Sequence, residues 1–212
     1  SGKYSKDKGL SYCTNCRPGR YSSTAGLLTG QGDTTFQTCY ACSSGKAAGG
    51  WGNTACVTCP KGKSSGSAWY VRTGCVACDA GKYVNSAACH DCPTGKYSLS
   101  NAEGCIACAA GKYTAVKGTS ACLNCPAGKY TGTTGGRNGK MSSGHNDCTE
   151  CPKGQYSGAG YSLCTVCARG KYADNTGTST CLSCPAGKYQ DNTGKTDCKT
   201  CSAGTTSTGG VS

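Results

Sequence analysis

The chain has 212 residues and a formal net charge of +12, with 22 cysteines and 34 glycines but only seven leucines, seven valines, one isoleucine and one phenylalanine. So few aliphatic side chains cannot bury the apolar surface that offsets conformational entropy, which excludes an ordinary globular core. Cysteine is left as the source of order, and because disulfides persist in oxidising compartments the composition places the protein outside the cell, secreted or at the cell surface.

No apolar run approaches the ~20 residues that span a bilayer, so any membrane anchor is expected outside this stretch. Residue 1 is Ser, and a mature or trimmed form is expected. The positive charge gives solubility, and it also attracts polyanions, with acidic polysaccharide or other glycans as candidate partners. Nucleic acid is not expected as a partner.

In chain order the first element is Gly2-Lys3-Tyr4, the tail of a repeat whose cysteines would precede it. All 22 cysteines then fall into eleven CxxC pairs, beginning at Cys13, Cys39, Cys56, Cys75, Cys89, Cys105, Cys122, Cys148, Cys164, Cys181 and Cys198. The period is 17 residues, with two nine-residue insertions, in the loops Cys16–Cys39 and Cys125–Cys148. A glycine stands three residues after the second cysteine in all eleven repeats, Lys or Arg follows in nine, and Tyr follows that in eight. One array over residues 1–212 is expected. The segment Cys201-Ser202-Ala203-Gly204 stops partway through a repeat, so the array is expected to continue or to join another.

Each repeat reads as a short β-hairpin. The Gly-Lys-Tyr segment forms the first strand, a turn such as Asp174-Asn175-Thr176-Gly177 follows, and Thr178-Ser179-Thr180 leads as a second strand into the next cysteine. Lys and Tyr point to opposite faces of the strand. Tyr is expected against the disulfides and Lys in water. The first residue inside the CxxC, often apolar (Tyr40, Val57, Val76, Ile106, Leu123, Leu182), is expected to join the same seam. The fold class is therefore small, disulfide-rich and all-β. It is a solenoid-like linear array of about eleven hairpins without helices of note.

Zinc and redox chemistry compete for the CxxC pairs. Paired CxxC motifs at this separation match a four-cysteine zinc pattern. However, eleven pairs cannot be grouped by twos, and zinc knuckles tend to place Gly just after the second cysteine, where this chain has Pro, Ala, Ser, Asp or Arg. A redox CxxC needs a helix N-terminus, and no helical periodicity is present. Structural disulfides remain, with two connectivities open. In one, the second cysteine of each pair bonds the first of the next: Cys16–Cys39, Cys42–Cys56, Cys59–Cys75, Cys78–Cys89, Cys92–Cys105, Cys108–Cys122, Cys125–Cys148, Cys151–Cys164, Cys167–Cys181 and Cys184–Cys198. In the other, first bonds first and second bonds second. The former is preferred, and it leaves Cys13 and Cys201 for a neighbouring chain or a continuing array.

Other motifs carry less. Gly62-Lys63-Ser64-Ser65-Gly66 matches the nucleophile-elbow pattern but occupies the repeat's own Gly-Lys position. His90 and His145 lack partners at catalytic or metal spacing and are expected to face solvent. The stretch from Asp191 to Asp197 lacks the ligand alternation of a calcium loop. No catalytic residue, cofactor or metal is expected. Nine asparagines include no N-x-[ST] sequon, so any sugar would be O-linked. Arg20, Lys46, Lys63, Lys82, Lys96, Lys112, Lys129, Lys171 and Lys188 form a cationic row if hairpins stack in register. The two insertions contain Leu27, Leu28, Phe36 and Met141 and are expected to make lateral or partner contacts.

The hexapeptide CPAGKY, at Cys125–Tyr130 and Cys184–Tyr189, and its variants resemble the ephrin-receptor-like cysteine-rich repeats of extracellular proteins, similar in style to EGF-like modules. Long arrays resemble those of protist surface proteins, including CxxC-rich variant surface antigens and components of fibrous flagellar hairs. The resemblance implies an extracellular disulfide-built rod and no enzyme. The expected function is structural, a subunit of a fibre, filament or cell-surface coat that self-associates. The second reading is the stalk or ligand-binding ectodomain of a receptor or adhesin.

Overall fold

The computed structural model describes residues 2–4, 14–23, 39–66, 72–132 and 145–210. The insertion residues Leu27, Leu28, Phe36 and Met141, and Cys13, lie outside the described residues. Among the described residues there are no helices, only eleven two-stranded antiparallel hairpins. The protein is a small, disulfide-rich all-β structure. Backbone contacts gather it into two bodies, Ser1–Asp91 with Ser98–Cys105, and Cys92–Tyr97 with Ile106–Ser212.

The turn that opens each hairpin follows from its sequence. In Pro126-Ala127-Gly128-Lys129 the Lys129 N–H donates to the Pro126 carbonyl at 3.0 Å, and Gly128 has φ +85°. This is a turn of type II, which needs positive φ at its third residue and therefore favours glycine there. Lys129–Tyr130 then pairs with Thr149–Glu150, and Lys171–Tyr172 pairs with Leu182–Ser183. The second strand is thus the interior of the next CxxC, not Thr178–Thr180 as the β-propensity of those residues suggests. The register explains the difference. The carbonyl of Gly170 accepts the N–H of Cys184 at 2.9 Å, which draws the cysteine pair itself alongside the Gly-Lys-Tyr strand. Thr178 is used elsewhere, its carbonyl accepting the N–H of Ser157 from the preceding repeat.

One hairpin differs. Lys82–Asn85 and Ala88–Asp91 form four-residue strands joined by Ser86 and Ala87, both at positive φ. A two-residue loop of this kind matches the right-handed twist of the strands, and it gives the shortest span between bonded cysteines, 11 residues for Cys78–Cys89.

The interior holds small groups rather than aliphatic ones. The buried apolar residues are cysteines, chiefly the second of each pair, together with Ala47, Ala48 and Ala173. The residue after Tyr is buried as well, as Ser22, Ser98, Thr114, Ser157 and Gln190. Its backbone ties neighbouring repeats. In the second body the N–H groups of Gly128, Gly154 and Gly170 donate to the carbonyls of Ser157, Ala173 and Gln190 at 2.8, 2.9 and 2.7 Å. The loop glycines return the bond, Gly160, Gly177 and Gly194 donating to the carbonyls of Cys125, Cys151 and Cys167 at 2.8 Å. In the first body Asn101, at φ 64°, takes the loop-glycine role and donates to Cys78 at 2.8 Å. Serine hydroxyls add further ties, Ser157 to the Lys129 carbonyl and Ser98 to that of Lys82.

The apolar residue inside CxxC is not in this seam. Tyr40, Val57, Val76, Ile106, Leu123 and Leu182 are 60, 72, 71, 53, 63 and 49% exposed. They lie opposite the residue after the Lys or Arg on one hairpin face, as in Tyr97 with Ile106 and Tyr113 with Leu123. Backbone stacking fills the interior, so a two-residue strand has no covering layer for this face. Tyr itself is half-buried, and Tyr156 packs on the Cys167–Cys181 disulfide and Ala173.

Stacking reaches the second neighbour too. A Cβ added to Gly154 would stand 2.1 Å from the carbonyl oxygen of Gly194, two repeats on, whereas one on Gly187 would meet nothing within 4 Å. Both glycines have positive φ. Gly187→Ala is expected to cost only the conformational term, about 1–2 kcal/mol. Gly154→Ala adds a backbone clash and should cost clearly more. Thermal unfolding without reductant compares the two, and equal losses would refute the second-neighbour contact.

Candidate functional site

The cysteines are committed to the scaffold. In the first body Cys16 bonds Cys39, Cys42 bonds Cys56, Cys59 bonds Cys75 and Cys78 bonds Cys89. In the second, Cys108 bonds Cys122, Cys125 bonds Cys148, Cys151 bonds Cys164, Cys167 bonds Cys181 and Cys184 bonds Cys198. Cα separations run from 5.4 to 5.8 Å, within the normal range. Cys92 and Cys105 are also disulfide-bonded. Among the described residues Cys201 carries a free thiol, and no three His, Cys, Asp or Glu groups converge to hold a metal.

The elbow-like serine has a structural task. Ser64 is buried, its hydroxyl donates to the Ala87 carbonyl, and the same oxygen accepts the Gly66 N–H at 3.0 Å. His90 is exposed beside Tyr83, with ring centroids 6.2 Å apart. His145 is buried, contrary to the solvent-facing position expected for it. Its carbonyl accepts the Thr114 N–H at 3.0 Å, which draws the backbone inward. The stretch after Tyr189 is held by turn contacts. Buried Gln190 donates from its side-chain amide to the Asp197 carbonyl at 2.8 Å and accepts the Asn192 N–H at 3.1 Å.

What remains for function is the surface. Lys46, Lys112, Lys171 and Lys188 are exposed, while Arg20, Lys63, Lys82, Lys96 and Lys129 are half-buried. Two of the nine meet an acid across the hairpin, Lys82 with Asp91 at 3.2 Å and Lys129 with Glu150 at 3.5 Å. Arg20 donates to the Cys39 carbonyl at 3.0 Å. Outside the row, Lys199 donates to the Asp191 carboxylate at 2.8 Å and lies 5.7 Å from the centre of the Tyr189 ring. Exposed apolar side chains recur as well, among them Leu99, Val116, Tyr161 and Leu163. Sequence spacing finds the basic positions but not which of them an opposing acid neutralises.

A family model described as tyrosine-protein kinase ephrin type A/B receptor-like matches residues 95–141, 154–188 and 170–211. Over these stretches, just under half of its length, the chain is similar to ephrin-receptor-like cysteine-rich repeats. No curated protein matches it. The match suggests repeats of the extracellular, receptor-like or structural kind, and that family is non-catalytic. The disulfides and the receptor-like family together fit an extracellular or cell-surface location.

The hydrogen bond from Lys199 holds the Asp191 carboxyl below its ordinary value and raises the lysine above its own. The depressed carboxyl means the ion pair persists through neutral pH and is lost as pH falls through the lowered value. Lys199→Gln is expected to raise the Asp191 titration midpoint toward the ordinary carboxylate range. Carboxyl-carbon NMR reads this directly, and an unmoved midpoint would show that the pair does not exist in solution.

Proposed function

We propose that the chain is a structural extracellular protein, a disulfide-stapled repeat subunit of a fibre, filament or cell-surface coat. The observation that supports this most is the sameness of the repeats. The hairpins share one register, one opening turn and one disulfide rule. Repetition of one rigid element suits a mechanical role, because stability accumulates from neighbour contacts rather than from a single core.

Two surface features support self-association. The Tyr97–Ile106 and Tyr113–Leu123 pairs present apolar area on hairpin faces, where contiguous exposed apolar surface marks contact sites. Among the described residues the Cys201 thiol is free, which makes it available to Cys13 of another copy or to the next repeat of a longer array. A stalk or ligand-binding ectodomain of a surface receptor or adhesin is the second reading, and the receptor-like family description favours it.

Purified protein is expected to sediment as concentration-dependent oligomers, and Ile106→Ser with Leu123→Ser should shift it toward monomer by at least about tenfold in dissociation constant, from the loss of two apolar anchors. Monomer at every concentration for the parent chain would refute lateral association. Separately, if copies join end to end, non-reducing electrophoresis of denatured material gives a ladder in multiples of 21.3 kDa. Reduction or Cys201→Ser collapses the ladder, and its survival in that variant excludes the joint.

A further inference from the structure

Each basic side chain of the Gly-Lys-Tyr position stands directly across its hairpin from the second residue inside the following CxxC. That facing residue differs among repeats. It is Asp91 opposite Lys82 and Glu150 opposite Lys129, and in both cases the acid forms an ion pair with the lysine. In the hairpins of the six other lysines of the row it carries no charge. Thr58 faces Lys46, Ala77 faces Lys63, Ala107 faces Lys96, Asn124 faces Lys112, Ser183 faces Lys171 and Thr200 faces Lys188. Among the described residues none of these six lysines has an acidic partner.

The unneutralised lysines come in adjacent repeats. In the second body Gly95, next to Lys96, donates to the carbonyl of Thr114, two residues past Lys112, at 2.8 Å. Gly170, next to Lys171, donates likewise to Gln190, two residues past Lys188, at 2.7 Å. Backbone hydrogen bonds thus couple each pair of lysine-bearing hairpins. Between the pairs, in repeat order, stand the neutralised Lys129 and the uncharged Gln155.

We propose that these unpaired lysines bind an acidic polysaccharide, sulfated or carboxylated, and that the residue facing each lysine inside the CxxC decides which hairpins take part. Lysine ammonium groups are point charges that accept anions without the bidentate geometry an arginine fork imposes. Pairs of such charges repeated along a chain match a linear polymer with anions at regular intervals. A flat lipid surface would not be served by a row interrupted by Glu150. The ligand class rests on the extracellular placement above, whereas the fibre reading is not needed, since the assay uses dissociated chains.

The test is elution from immobilised heparin in a salt gradient. Changing Lys96, Lys112, Lys171 and Lys188 together to Gln should lower the eluting salt to about half, because each lost contact removes counterion release. A control replaces Lys61, Lys117, Lys153 and Lys195, also exposed, with the same loss of charge. It should elute close to the parent chain. Glu150→Gln, which frees Lys129, should raise the eluting salt. Equal shifts in the two fourfold variants would reduce the effect to net charge and overturn the proposal. An unmoved Glu150→Gln would overturn the role of the facing residue. Binding to phosphatidylserine vesicles without retention on heparin would overturn the ligand class. On the unmodified chain, heparin should protect Lys171 and Lys188 from acetylation and leave Lys129 at its own rate. No protection overturns the proposal even if a variant fails to fold.

Discussion

The disulfide from the second cysteine of one pair to the first of the next is the constraint on which the structure depends. It closes each hairpin at its base and buries a sulfur where an ordinary domain would place leucine or valine. Two-residue strands are too short to persist in water without such a link. Closing a loop of ~15 residues removes about 3 kcal/mol of unfolded-state entropy in the chain-entropy model. That term grows only logarithmically with loop length. The 23-residue separations of Cys16–Cys39 and Cys125–Cys148 are therefore closed on nearly the same terms as the usual 14.

The backbone does the rest of the work that side chains do elsewhere. Glycine N–H groups and cysteine carbonyls bond between neighbouring repeats, and the bare Cα of Gly154 admits the Gly194 carbonyl from two repeats away. The repeat that carries Gly154 is thus held by its first and second neighbours. Ladder bonds of this kind need close approach, which explains why the buried side chains among the described residues are mostly Cys, Ala, Ser and Thr, with Arg72, His145 and Gln190 the larger ones. A larger side chain after the tyrosine would separate the strands it is meant to join.

The same economy leaves the hairpin faces to the solvent. A strand of two residues offers one side chain to each face. The interior takes these side chains only in part, so a cation lies on one face and a half-buried tyrosine, with the exposed apolar residue opposite it, on the other. The charge that each such hairpin presents is set by its Gly-Lys-Tyr position and by the residue that stands opposite it.

The sequence by itself determined the class of the fold and its repeat. Cysteine content against the scarcity of Leu, Ile, Val and Phe dictates a disulfide-built all-β structure, and the glycine three residues past the second cysteine marks the turn, because its backbone must adopt positive φ. Only the tertiary structure decided which cysteines meet, because CxxC spacing is compatible with two connectivities while sulfur position depends on how hairpins stack. It also decided that Leu182–Ser183 rather than Thr178–Thr180 forms the second strand, since the register is fixed by the Cys184 N–H finding the Gly170 carbonyl. Ile106 and Leu123 read as core and are exposed, and His145 reads as surface and is buried. Hydrophobicity expresses a preference for burial, but a place in the interior exists only where the backbone ladder leaves one.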